Sequence, residues 1–254
     1  MKFIDLPAQD RLTLLSGVQI ETGMSIQAIE KDWWVTEVLR AIFSLPYAMH
    51  ASFKGGTSLS KCWKLIDRFS EDIDIAIDRE FLGFAGQLSK NQISDKLRRA
   101  ACSFVRESMQ NDLRYALLSA GIPESEFRIE VDITPITTTD PETIKLFYNS
   151  LVTDNQYIKP AVLIEIGGRS MTEPIELVSV NSFVYKAFPS AAFAQKDFEV
   201  RTVSVKRTFL EKICLLHEEF SKPSESIRVN RMSRHLYDVR QDSKSRCKGR
   251  PQRP

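Results

Sequence analysis

The chain has 254 residues, 43% of them hydrophobic, which is enough to bury a sizeable core and excludes a wholly disordered polypeptide. Thirty-five Lys and Arg nearly cancel 33 Asp and Glu, leaving a formal net charge of +2, so a nucleic-acid partner must be argued from a site and not from global charge. The four cysteines, Cys62, Cys102, Cys214 and Cys247, are spaced too widely for a CxxC pair or a Cys/His cluster, which argues against structural zinc.

Met1-Lys2-Phe3-Ile4-Asp5 reaches an acid and then Pro7 before any apolar run, and no 18-residue apolar segment follows, so a cytoplasmic protein with no membrane contact is expected. Ser25 can cap a helix running to Phe43, with Val35, Val38, Leu39 and Ile42 on one face and Pro46 closing it. At helical spacing, Trp33 and Trp34 read as core packing. Phe53-Lys54 is a short strand ending in Gly55-Gly56, and Leu59, Cys62, Trp63 and Ile66 then recur at helical intervals. Ile73, Ile75 and Ile77 alternate with Asp72, Asp74 and Ala76, the period-2 pattern of a strand with one buried face.

Residues 89–120 read as one long surface helix stopped by Gly121-Ile122-Pro123. Strands are predicted over Arg128 to Ile133 and Ala161 to Ile166, both carrying acids at alternating positions. After a mixed stretch from Phe183 to Phe193, a helix from Thr208 to Phe220 puts Phe209, Ile213, Leu216 and Phe220 on one stripe. A last helical piece runs from Arg231 to Val239, and Gln241 to Pro254 is polar and basic without apolar periodicity. The expected fold class is α/β (α+β): a core domain over 1–200 with a mixed β-sheet flanked by helices, a C-terminal helical module over 201–240 and a disordered tail over 241–254.

Two carboxylates at i and i+2 on a strand leave from the same face, so Asp72 and Asp74 offer hard oxygen ligands of the kind magnesium takes. An isolated DxD is more often solvated surface. Here, however, Gly55-Gly56 allows close backbone approach to a ligand, and Thr57 and Ser58 open a helix whose N-terminus attracts anions. The triad types are absent: His50, His217 and His235 are isolated, and there is no GxSxG, HExxH or Walker lysine loop.

A GG turn followed by Asp-hydrophobic-Asp is the signature of DNA polymerase β-type nucleotidyltransferases. Glu30 to Leu39, Phe53-Lys54-Gly55-Gly56-Thr57-Ser58-Leu59-Ser60-Lys61 and Arg68-Phe69-Ser70-Glu71-Asp72-Ile73-Asp74-Ile75 resemble the AbiEii/AbiGii toxin family more closely still, over roughly residues 25–240. The resemblance implies a catalytic lysine and aspartate in later helices. Phe209-Leu210-Glu211-Lys212-Ile213 and Arg234-His235-Leu236-Tyr237-Asp238-Val239 match these, giving Lys212 and Asp238. It also implies a third metal carboxylate on a neighbouring strand, for which Glu165 competes with Asp132; Arg169 could meet a phosphate or form a structural ion pair.

The activity so implied is Mg2+-dependent nucleotidyl transfer from GTP, CTP or ATP to an acceptor hydroxyl such as a tRNA 3′ end. Gly55, Gly56, Thr57, Ser58 and Lys212 would hold the nucleotide, and Asp72, Asp74 and Glu165 the metal. The setting implied is a toxin–antitoxin or phage-defence pair, with an antitoxin protein as partner. Two other readings stay open: a catalytically degenerate or truncated nucleotide-binding protein, suggested by the abrupt polarity from Gln241, and a metal-dependent nuclease, which would need no glycine turn.

Overall fold

The computed structural model describes residues 1–67, 70, 72–132, 142–152, 158–169, 173–228 and 232–247, with residues 242–247 described by backbone alone. The strands are β1 (Ala51–Lys54), β2 (Ile73–Ile77), β3 (Phe127–Asp132), β4 (Glu142–Tyr148), β5 (Ala161–Gly167), β6 (Ile175–Val180) and β7 (Phe198–Val203), and the helices fall before β3 and after β6. These are α1 (Ala8–Thr22), α2 (Ile26–Ile42), α3 (Gly55–Lys61), α4 (Arg98–Phe104), α5 (Gln110–Ser119), α6 (Phe183–Ala187), α7 (Val205–Phe220) and α8 (Met232–Cys247). Among the described residues the strands form one seven-stranded sheet in the order β3-β4-β5-β2-β1-β7-β6. β1 runs parallel to β7 and β2 parallel to β5, while the other neighbours are antiparallel, so the α+β class with a mixed sheet holds.

Alternation decides the two faces of the central strands. Ile73, Ile75 and Ile77 are buried together with Phe53, Ile164 and Ile166, so β1, β2 and β5 share one apolar core. α2 covers this region and packs on α1, α5, α6 and β5. Ser25 caps it, its Oγ accepting from the Ala28 N–H at 3.3 Å. Trp33 and Trp34 are buried as expected: the Trp33 indole donates to the Tyr185 hydroxyl at 3.0 Å, and Trp34 stacks on Tyr148 at 5.1 Å.

The long helix expected over 89–120 is present in four joined pieces, α4 and α5 each preceded by a π segment, Gln92–Leu97 and Val105–Met109. Its buried row, Leu97, Ala101, Val105, Met109, Leu113 and Leu117, repeats every fourth residue. An α-helix turns every 3.6 residues, so such a row would drift by about 40° per repeat. The wider π turns reduce that drift and keep the row against the core.

Several expectations need correcting. α7 does not bury the stripe Phe209–Ile213–Leu216–Phe220; it buries Thr208, Lys212, Leu216 and Glu219, and leaves Ile213 38% and Phe220 50% exposed. α8 packs on α7 and carries the buried Asp238, so Lys212 and Asp238 turn toward each other. The polar stretch from Gln241 continues α8 to Cys247, and residues 248–254 lie outside the described residues. α2 ends at Ile42, before Pro46. Ile133, Arg231 and the motif residues Arg68, Phe69 and Glu71 also fall outside the described residues.

Candidate active site

The register places three charged side chains in one row across the sheet: Lys54 of β1 pairs with Asp74 of β2, which pairs with Glu165 of β5. They share a face because each occupies the same phase of its strand as its neighbour. Together with Asp72 they line a cleft of about 330 Å³, closed on its other side by α7 and α8 through Thr208, Glu211, Lys212 and Leu215, and through Arg234 and His235.

The glycine turn is sterically tied to the carboxylates. Gly55 has φ +78°, and a Cβ built there would lie 1.8 Å from Asp74 Oδ2, so both the backbone and the space require glycine. Thr57 and Ser58 take structural places. The Thr57 hydroxyl bonds to the Asp72 carbonyl and lies 2.9 Å from the Ser70 hydroxyl, which pins the segment carrying Asp72 to α3. Ser58 is fully buried and donates back to the Gly55 carbonyl at 2.9 Å, so of the expected nucleotide-holding turn only Gly55 and Gly56 line the cleft.

Burial raises Asp74 to about 7, helped by Glu165 and Asp72; Lys54 and then Lys212 oppose the shift. Both lysines are engaged elsewhere. Lys54 Nζ lies 3.5 Å from Glu211 Oε2, and Lys212 Nζ lies 3.0 Å from Asp238 Oδ2 in a pair with no exposed carboxylate surface. Three acids, Asp72, Asp74 and Glu165, thus line one cleft with Lys54 and Lys212. Among the described residues no three His, Cys, Asp or Glu side chains close on one point as the ligands of a metal ion do.

Asp132, the rival of Glu165, lies on the edge strand β3 with its carboxylate on Lys145, away from the cleft. Arg169 follows β5 and lines an adjoining cleft of about 360 Å³ that shares Lys54, Asp74 and Glu165. Sequence reasoning passed over Lys54, Thr208, Glu211, Leu215, Arg234 and His235. A signal existed: Thr208, Glu211, Lys212 and Leu215 fall at i, i+3, i+4 and i+7, one helical face, but the more apolar stripe beside it drew the assignment.

A mixed sheet with an Asp-x-Asp pair at the start of a central strand, Asp72 just before β2 and Asp74 on it, beside a strand-to-helix glycine turn is the architecture of a nucleotidyltransferase. The family model described as "Nucleotidyl transferase AbiEii toxin, Type IV TA system" matches residues 37–245, and the chain belongs to that family. No curated protein matches the chain. Membership implies a nucleotidyltransferase toxin with a nucleoside triphosphate as substrate and an antitoxin as partner. No helix among the described residues is long and apolar enough to cross a membrane.

Proposed function

We propose that the chain transfers a nucleotidyl group from a nucleoside triphosphate to the 3′ hydroxyl of an RNA acceptor of the tRNA kind, releasing pyrophosphate, and that it does so in the cytoplasm as the growth-arresting half of a phage-defence pair. The observation that carries this reading is the grouping of Asp72, Asp74 and Glu165 in one cleft beside the Gly55-Gly56 turn, where burial and then Glu165 and Asp72 raise Asp74 to about 7. Carboxylate oxygens are the ligands divalent cations take, magnesium by preference, and Asp72, Asp74 and Glu165 are the residues that would draw together to hold them, since the three do not close on one point in this structure. When bound, such ions supply charge neutralisation for the triphosphate and a lowered pKa for the attacking hydroxyl.

The remaining steps belong to the chain. Gly55 and Gly56 present backbone unencumbered by side chains to the phosphates. Lys212, held in place by Asp238, supplies a cation at the opposite wall, and Lys54 supplies one beside Asp74. Attack at the α-phosphorus forms the new P–O bond as the bond to the pyrophosphate oxygen breaks, and the acceptor proton leaves to a base or to water.

Asp72→Asn or Asp74→Asn is expected to lower incorporation of α-labelled nucleotide into RNA by about 10²- to 10³-fold with the fold intact by circular dichroism, comparable to losing a charge-stabilising group elsewhere. Folded variants with wild-type turnover would sink the assignment. Cleavage of the RNA with no pyrophosphate released would instead favour a nuclease. In cells, expression of the wild type is expected to slow growth and Asp72→Ala to relieve it; equal arrest by both would make the toxicity non-enzymatic.

A further inference from the structure

A second cleft, of about 350 Å³, lies against another part of α3, lined by Thr57, Ser60 and Lys61 where the catalytic cleft is lined by Gly55 and Gly56. Ser70 lines both, so the two clefts adjoin. Its size is that of a small-molecule site, typically roughly 300–1,000 Å³.

The walls are apolar and charged: Met24, Val35, Ile66 and the Phe183 ring give apolar surface, Lys61, Lys64 and Lys186 give three cations, and Asp32 and Asp67 give two acids. Lys61 is committed to the fold, its Nζ 2.5 Å from Asp32 Oδ1 and 5.9 Å from the centre of the Phe183 ring. Lys64 and Lys186 form no ion pair among the described residues. Lys64 is held at φ 51°, in the left-handed region that side-chain-bearing residues avoid. Burial, then the neighbouring Lys61 charge and that of Lys64, hold Lys186 below the usual lysine range, with Asp32 and Asp197 opposing, so an anion placed between Lys64 and Lys186 would be welcomed.

We propose that this cleft is a second nucleotide subsite, taking one nucleoside monophosphate unit with its phosphate between Lys64 and Lys186 and its base against Phe183 and the aliphatic wall. Stacking a base on an aromatic ring while cations meet the phosphate is the general chemistry of single-strand recognition. The proposal rests on the transferase reading for its source: the unit belongs to the RNA acceptor, whose 3′ end passes Ser70 to reach the catalytic cleft. A free nucleotide has the same chemistry, and the test separates the two.

The full chain is acetylated at lysine and read by mass spectrometry, alone, with a short single-stranded RNA, with a nucleoside monophosphate, and with a nucleoside triphosphate. RNA is expected to protect Lys64 and Lys186 several-fold while the exposed Lys90 is unchanged, and the triphosphate to protect Lys54 and Lys212 instead. Protection by the monophosphate but not by RNA would keep the subsite and assign it to a free nucleotide. Protection by neither overturns it.

The paired variant Lys64→Asn with Lys186→Met, in which asparagine tolerates the left-handed backbone, is expected to weaken RNA binding by roughly 10- to 100-fold without altering triphosphate affinity. Unchanged RNA binding by a folded variant also overturns the subsite, and if the variant does not fold the wild-type footprint decides alone. Because binding is the readout, RNA that protects these lysines without being extended counts against the transferase reading only. RNA extended without protecting them counts against the subsite only.

Discussion

Asp32 and Asp74 are both drawn into the body of the molecule, yet their surroundings are opposite. Asp32, on α2, has Lys61 Nζ 2.5 Å from Oδ1 and the Phe183 N–H donating to Oδ2 at 2.9 Å, so each oxygen has a donor. Asp74 instead has Glu165 and Asp72 as like-charged neighbours, and the two lysines that oppose its shift also pair with Glu211 and Asp238. A buried acid that the fold requires is paired by the fold. One left among like charges beside a cleft is arranged for something that arrives later, and this contrast separates a structural carboxylate from a functional one more sharply than burial does.

The largest expected effect tests the structural side of that contrast. Asp32→Ala leaves the Lys61 ammonium and the Phe183 N–H without their acceptor, and breaking a buried pair by removing one partner costs about 3–5 kcal/mol. Urea denaturation of the variant should show a loss of that order. A loss below about 1 kcal/mol would make Asp32 no more structural than a surface acid and would break the comparison.

Lys212 joins both sides, and its expected effect is somewhat smaller. It sits among helix residues with no cation-seeking partner on α7 itself, so the sequence suggests that Lys212→Met should weaken nucleotide binding and leave stability alone. The structure changes the second half: Asp238 is buried and its Oδ2 lies 3.0 Å from Lys212 Nζ. Lys212→Met is therefore expected to cost about 3 kcal/mol of stability as well as about 10- to 150-fold in triphosphate affinity. Adding Asp238→Asn should restore most of the stability and none of the affinity. Recovery of nucleotide binding in the double variant, measured by titration calorimetry, would take Lys212 out of the site and leave it a partner of α8.

These cases also show what could be read before the structure. The Ile73/Ile75/Ile77 alternation and the Gly55-Gly56 turn were legible because their patterns are local: period 2 for a half-buried strand, and bare backbone where a side chain cannot fit. β4 was passed over although Glu142, Ile144, Leu146 and Tyr148 alternate inward, because its first inward residue is an acid that Arg106 neutralises from the long helix. The α7 stripe misled for the converse reason: of its apolar residues only Leu216 is buried, while Lys212 and Glu219 are buried, each satisfied by charges from other segments. Non-local ion pairing overrides hydropathy and leaves no periodic trace in the chain. The choice between Glu165 and Asp132 was likewise a matter of strand order, which places β5 beside β2 and β3 at the sheet edge.

The smallest effect sharpens the functional side, because its sign is opposite to that of Asp32. Asp74 has a folded value of about 7 against an ordinary 3.8, so the native state holds the proton more tightly than the unfolded chain does. Stability owed to the protonated carboxyl is then complete below the ordinary value, is lost progressively as the pH rises to about 7, and falls no further above it. Asp74→Asn mimics the neutral form at every pH. The variant should therefore match the wild type near about pH 4 and exceed it by about 1–2 kcal/mol at about pH 8, a figure reduced from the full shift because the cleft opens to solvent. Urea denaturation across that range is the measurement. A divalent cation added at the alkaline end should stabilise the wild type more than the variant and narrow the gap, since it meets the same negative charge that asparagine removes. A variant less stable than the wild type at about pH 8 would mean that ionised Asp74 is satisfied within the fold, and the distinction drawn between it and Asp32 would fail.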